Sequence, residues 1–523
     1  MAGGFRVFTI GNDIDIIDTG YAKYLGNRSA QYSDTVVYYG IPYAEPPVHE
    51  RRFRGPVELN LTRFEGRKLE VIDARAFSDF YNLAGGAGSE DCLKVNIYTP
   101  LGAKRGSNLP VLVFLHGGGY IFGNPLNFPF DHWIQENPNG SQVIIVSVYY
   151  RISSFGYLAH PSFRDSPSFG DLNVGFLDQI EALKWIQRYI SAFGGDPNKV
   201  TLNGHSAGAS SIELHLVVAA EKNENVYGRG LFAQAIVQSS YRVPPLFEFY
   251  ASHAGCGYGP IEAKMECLRK ADVSDLARAQ DLAMSDAFDN PYKFFRPVID
   301  DKLVLKYPSA AIMSGQFLRV PLLVGSVNFF TICGDCKQSL QRLFPQLTEA
   351  DIDEFLEVYP KEEFDSEYQH FRVITGESVF ICSVPLMGDS FDNAGAAVWA
   401  YRYNEPNPSL GSPVVAHSAE SWMMFRGTNT RNNGTSQWSS LSQEDNTFSQ
   451  ELIAYWLSFV RAGDPNTYRL AGTPRWEQYS RGERKRLVLQ KKSTGNGSYM
   501  EAEPEKERQR CEFVAGKVER EQN

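Results

Sequence analysis

Short apolar runs with almost no polar alternation recur along the chain, at Pro110–Leu115, Val143–Val148, Ala233–Val237, Val320–Val324 and Ala396–Tyr401. A strand with one face in water alternates apolar and polar residues. Runs that do not alternate predict strands covered on both faces, as in a mainly parallel sheet between helices. Between two of these runs, Leu177, Ile180, Leu183, Ile186 and Ile190 recur at helical spacing, and Gly194-Gly195-Asp196-Pro197 predicts where that helix stops. Strand, helix and strand in this order predict a doubly wound α/β fold. Residues 245–320 and 337–395 turn helical and aromatic-rich, which predicts insertions over the carboxyl edge of the sheet, where such folds bind ligands. No repeat, Pro-rich linker or low-complexity block divides residues 1–523, so a single unit is expected. From Glu501 onward the chain is strongly charged, and a loosely attached tail is expected over 501–523.

Composition adds exclusions. Hydrophobic residues make up 43% of the chain and charged residues 21%, as in a soluble protein with a large core. The net charge of −10 is spread without a basic stripe, which argues against a nucleic-acid partner. No apolar run approaches the roughly 20 residues that span a bilayer. The first thirteen residues lack the apolar core of a secretory signal, so a cytoplasmic location is expected, with secretion only if the N-terminus is incomplete. Sequons at Asn27, Asn60, Asn139, Asn433 and Asn496 then carry little weight. Seven cysteines are too few for a disulfide scaffold of this size, although Cys256 and Cys267 are close enough to staple one loop. Cys333-Gly-Asp-Cys336 has no second pair or nearby histidines for zinc, and no thioredoxin-like context for redox chemistry, so no metal is expected.

The chemistry concentrates at Thr201–Ala209, which places a serine inside Gly204-x-Ser206-x-Gly208. A serine hydroxyl is a poor nucleophile and needs an exposed, rigid perch on which a base and an oxyanion site converge. A sharp strand-to-helix turn supplies it, and only small residues fit two positions either side. The apolar-leaning Lys199–Asn203 before the motif and the small, then apolar, Ala207–Val218 after it suit that turn. Acyl transfer also requires donors for the developing oxyanion. His116-Gly-Gly-Gly-Tyr120 directly follows a buried strand, and its unshielded backbone N–H groups predict an oxyanion hole of Gly118, Gly119 and Ala207. Of nine histidines, His116 and His205 adjoin the motifs and point away from the hydroxyl. His417, downstream of the Ala396–Tyr401 strand, stands where a base can reach back over the sheet.

On these residues the chain resembles the type-B carboxylesterase/lipase family, which includes cholinesterases, fungal lipases and the non-catalytic neuroligins. Further matching segments are Tyr39–Pro47, Glu90–Tyr98, Tyr150–Gly156, the block Asn173–Ser211 and Ala454–Pro465, so the likeness covers almost the whole chain. The resemblance implies an α/β-hydrolase fold, with large helical insertions over the active site, and hydrolysis of a small-molecule ester through an acyl-serine. It also implies Ser206 and His417 as nucleophile and base, and no metal or organic cofactor.

Three departures stand out. Where the family carries the glutamate that orients the base, this chain has Phe330. Asp335 is the nearest substitute, and Glu420 follows His417 too closely to orient its ring easily and reads as structural. Cys92 lacks its usual upstream partner, in keeping with a reducing compartment. His205 replaces a frequent glutamate. Losing the orienting carboxylate from a serine triad lowers turnover about 10⁴-fold, while the remaining groups still exceed water by roughly 10³–10⁴. The leading expectation is a serine carboxylesterase acting on a neutral or apolar ester or lactone. The alternatives are a catalytically weak or inactive binding protein and an acyltransferase using the same acyl-serine. Phe247, Phe249, Tyr250, Phe288, Tyr292, Phe294 and Phe295 suit either an apolar pocket or packing beneath a lid.

Overall fold

The computed structural model describes residues 15–29, 32–64, 89–135, 143–222 except 167, 225–226, 229–240, 251, 253–285, 295–327, 336–430 except 345, 436–438 and 440–518. Eleven strands among them form one sheet: β1 (Asn27–Arg28), β2 (Thr35–Pro42), β3 (Lys94–Pro100), β4 (Leu109–Leu115), β5 (Ile144–Val148), β6 (Gly195–His205), β7 (Gln234–Gln238), β8 (Leu322–Ser326), β9 (Val398–Tyr403), β10 (Lys485–Leu489) and β11 (Tyr499–Ala502). Their order is β11-β10-β9-β8-β7-β6-β4-β5-β3-β2-β1. The middle, from β10 through β5, is parallel, and the outer strands at both ends pair antiparallel. All five apolar runs overlap parallel strands, with Val320–Val324 and Ala396–Tyr401 each offset by two residues from β8 and β9.

Both faces of the sheet are covered, which explains the missing alternation. Val111, Val113 and Leu115 of β4 point into one core, with Phe176, Ile180, Leu183 and Ile186 of helix α1 (Val174–Tyr189) and Ile212 and Leu216 of α2 (Ala207–Lys222). Leu112 and Phe114 point the other way, into a core closed by Tyr455, Trp456 and Phe459. The α1 pattern runs on as a tight turn, Ile190–Phe193, and stops at Gly194, whose φ of 93° favours glycine. Gly195 already belongs to β6. The whole Gly-Gly-Asp-Pro segment is therefore not the break; its first glycine is.

The insertions carry helices α3 (Ile261–Lys270), α4 (Val273–Ser285), α5 (Cys336–Leu343), α6 (Glu349–Val358), α7 (Glu367–Gly376) and α8 (Ser383–Asn393), with irregular chain at 295–307. After β9 come α9 (Ala419–Met424), α10 (Gln443–Ala462) and α11 (Glu505–Ala515). The α7–α8 run, Glu367–Asn393, is apolar and long enough to cross a membrane by composition, but most of it is buried inside the protein. Of the aromatics named above, Phe295 packs in the main core, while Phe247, Phe249, Tyr250, Phe288, Tyr292 and Phe294 lie outside the described residues.

Over its described residues, 501–518, the C-terminal segment is docked, not loosely attached. β11 pairs with β10, and α11 is bonded to α8's N-cap through Cys382–Cys511. Its charges find partners elsewhere in the chain: Arg510 with Glu377 at 2.7 Å, Glu507 with Arg486 at 2.5 Å, and Lys517 with Asp351 at 2.8 Å. A charged composition read as solvation is here a set of ion pairs to distant elements. A second disulfide, Cys256–Cys267, ties the segment before α3 to that helix. Cys92 forms no disulfide, and burial pushes its thiol up to about 12.

Candidate active site

Ser206 stands between the end of β6 and the start of α2 with φ at 56°, a left-handed conformation that is costly for a residue with a side chain. The surroundings hold it there. Its N–H donates to the Gln238 carbonyl at the end of β7 at 2.9 Å, and its carbonyl accepts from the Ser210 N–H at 3.0 Å. The flanking glycines are required by contact. A Cβ on Gly208 would lie 2.0 Å from the Leu115 carbonyl oxygen, and one on Gly204 2.4 Å from Gly208. The serine turn is thus pressed against β4, and only glycine fits at positions 204 and 208.

The glycine run leaves β4 at the same place. A Cβ on Gly117 would come within 2.6 Å of the His205 carbonyl oxygen and 2.9 Å of Ser206 Cβ, so the loop passes directly beside the serine. Gly118 and Gly119 have φ of 120° and 61°. No acceptor is found among the described residues for the N–H groups of Gly118, Gly119 and Ala207, the first two following Gly117 in the loop and the third following Ser206 in the chain. His116 anchors the start of the loop. Its ring stacks on Tyr150 at 4.5 Å, its carbonyl accepts from the Tyr150 hydroxyl at 2.6 Å, and its Nδ1 lies 2.9 Å from the Gly117 carbonyl. Burial lowers its pKa to about 4. Beyond it, Arg151 and Asp178 form a buried pair at 2.6 Å that fixes the next loop to α1.

His417 lies in the loop between β9 and α9. Its ring stacks on His205 at 4.8 Å and on Phe380 at 4.5 Å, with interplanar angles of 22° and 21°. The structure therefore brings the expected base to the residue preceding Ser206, with no hydrogen bond between the Ser206 hydroxyl and the imidazole in this conformation. Catalytic hydrogen bonds are often long before substrate binds. Desolvation lowers the His417 pKa to about 4, and lowers that of His205 well below the ordinary value, with the neighbouring His417 adding to the effect.

Phe330 and Asp335, weighed as the position of the orienting acid, lie outside the described residues. Glu420 does have a structural place. It is buried, with Oε1 accepting from the Tyr401 hydroxyl at 3.0 Å and from the Gln238 amide at 3.3 Å, and burial raises its pKa to about 7. Gln238 also accepts the Ser206 N–H through its backbone, so a short chain of bonds joins α9 to the serine turn. Sequence reasoning passed over Gln238, Tyr401 and Phe380. Each is an ordinary strand or helix residue, and only the fold makes it a neighbour of the site.

Comparison with known proteins agrees with this geometry. The carboxylesterase family model matches residues 14–330 and 334–514. The chain is 29% identical to para-nitrobenzyl esterase of Bacillus subtilis (strain 168), over 95% of this chain and 98% of the relative. It is 27% identical to liver carboxylesterase B-1 of Rattus norvegicus, over 90% and 89%. Among solved structures, Aspergillus niger EstA superposes with a TM-score of 0.82 at 29% identity, covering 97% of this chain and 99% of that one. A PNB esterase superposes with a TM-score of 0.74 at 25% identity, over 95% and 100%. The α/β-hydrolase architecture, the strained serine and the extent of these matches lead to one conclusion: the chain belongs to the carboxylesterase family.

Proposed function

We propose that this protein is a serine carboxylesterase that hydrolyses a neutral or apolar carboxylic ester or lactone, with Ser206 as nucleophile and His417 as base. The observation that carries the reading is Ser206 held at a φ of 56° where the glycine run closes on it. Strain of this kind persists only when the surroundings over-determine it, and it clusters at reactive sites. In the reaction, Ser206 Oγ attacks the carbonyl carbon while its proton passes to His417. The negative charge that develops on the carbonyl oxygen takes the N–H groups of Gly118, Gly119 and Ala207. His417 then returns the proton to the departing alcohol, leaving an acyl-serine, and water repeats the sequence to release the acid.

A fluorophosphonate probe tests the reading. Labelling at Ser206, together with hydrolysis of p-nitrophenyl acetate that disappears in Ser206→Ala, is the expected result. Absence of labelling while a control esterase reacts would refute it. For the compartment, we propose an oxidising environment in place of the cytoplasm expected above, because Cys256–Cys267 and Cys382–Cys511 are disulfides and such bonds persist mainly outside reducing compartments. Alkylation without reductant should spare all four of these cysteines.

A further inference from the structure

The base of a serine esterase must keep one nitrogen aimed at the nucleophile throughout the reaction, and a carboxylate at the far nitrogen commonly does this. Here both faces of the His417 ring are covered. Phe380 and His205 lie at 4.5 Å and 4.8 Å from it, nearly parallel to it, and make no ring contact with each other, so they take opposite faces. We propose that this slot sets the plane of the His417 imidazole, which makes Phe380 and His205 positioning residues for the base. The proposal rests on the esterase reading above.

Each wall of the slot is itself held. His205 ends β6, in register with Gln238 of β7, and immediately precedes Ser206. A ring stacked on it is therefore indexed directly to the nucleophile turn. Phe380 is fully buried on a π-helical turn, Glu377–Ile381, inserted between α7 and α8. Such turns are rare in helices and frequent at functional sites. This one is bolted to α11 at both ends: Glu377 accepts two bonds from Arg510 at 2.7 and 2.8 Å, and Cys382 is bonded to Cys511. The extra residue of the π-turn thus aims Phe380 at the histidine, and the C-terminal helix keeps it there.

The chemistry of the walls also fits a base that becomes positively charged. A phenyl face attracts a cation. His205 is kept neutral by its burial, so it does not repel the imidazolium. Among the described residues, Glu420 lies on the helix following His417, and Glu377, on the same π-turn as Phe380, is paired with Arg510.

The test uses the full-length protein with Phe380→Ala, Phe380→Leu and Phe380→Tyr. The measurements are kcat and KM on p-nitrophenyl acetate and butyrate between pH 5.5 and 8, with tryptophan fluorescence to confirm folding and fluorophosphonate to count reactive serines. A displaced base of this kind costs up to about 10²-fold, so the Ala and Leu variants should lose roughly 10- to 100-fold in kcat at nearly unchanged KM. They should also lose kcat/KM on acidification below pH 7 while still folded, because water reaches the uncovered ring face. Phe380→Tyr should restore both properties, and His205→Ala, which opens the other face, should reproduce the loss. The clamp is overturned if Phe380→Leu keeps its kcat, if the loss falls in KM and only for the larger acyl group, or if the acidic limb does not move. A wild-type protein that fails to label at Ser206 refutes the esterase reading instead, a separate outcome.

Discussion

Acid should unfold this protein before it protonates His417, the proposed base. His116, His132 and His215 are almost fully buried, each with one ring nitrogen near a carbonyl oxygen: Gly117 at 2.9 Å, Met424 at 2.9 Å and the Gln179 side chain at 3.2 Å. Desolvation lowers their pKa values to about 4, 3 and 3. The unfolded chain binds these protons near pH 6.5, so the stability the neutral rings contribute is complete above that value and falls as the pH drops towards the folded values. At pH 5 the folded rings are still neutral, and each forfeits about 2 kcal/mol, or roughly 6 kcal/mol for the three. A typical domain has about 5–15 kcal/mol to lose. His205 and His417 act in the same direction. Glu420 acts against them: its pKa is raised to about 7, so the folded state takes up a proton first and recovers about 2 kcal/mol between pH 7.5 and 5.

The expected result is a melting temperature that falls steeply between pH 7 and 5, and a kcat/KM profile that stays flat until tryptophan fluorescence changes. In His215→Gln, which removes one of the three rings, the fall in stability over that interval should be smaller by about 2 kcal/mol. A melting temperature that is level from pH 7.5 to 5 would refute the reasoning. So would a His215→Gln variant with the wild-type slope, or an activity limb near pH 6.5 in protein that remains folded.

Three further results are expected. Gly118→Ala would place a Cβ 2.0 Å from the Phe122 carbonyl oxygen, so the proposed oxyanion donors should shift and kcat should fall roughly 10²- to 10³-fold in steady-state assays. Asp178→Ala leaves Arg151 charged and buried, and denaturant titration should show a loss of about 3–5 kcal/mol. Reducing Cys382–Cys511, which joins residues 129 apart, should lower stability by about 5 kcal/mol on the chain-entropy estimate, and with it the melting temperature.

Much of the site can be read in the sequence because its constraints are steric and local. A serine at positive φ, with Gly208 against the Leu115 carbonyl oxygen and Gly204 against Gly208, leaves almost no freedom of residue choice, and the motif shows that directly. The parallel strands are visible for a similar reason, since two covered faces remove polar residues. The antiparallel edges are harder to read. Met500 packs against the core while the next residue, Glu501, pairs with Arg402 and Arg486, so the strand carries no clean period. The docked C-terminus is hidden by distance: Arg510 and Glu377 are 133 residues apart, and neither charge announces the other.

Phe380 is the sharpest case. As a buried phenylalanine in an apolar helix it is indistinguishable from a core residue, and it reaches His417 only because one turn is widened to a π-turn and pinned by a bond to the C-terminal helix. The orienting acid that the resemblance leads one to seek at Phe330 is a single residue with a local motif. The stacked slot is built from three distant segments, and its parts need only be flat and well anchored. An alignment with acid-bearing relatives would score this chain as a damaged triad. The geometry of His205, His417 and Phe380 describes a base held by its faces, and the pH response of Phe380→Leu separates those two descriptions.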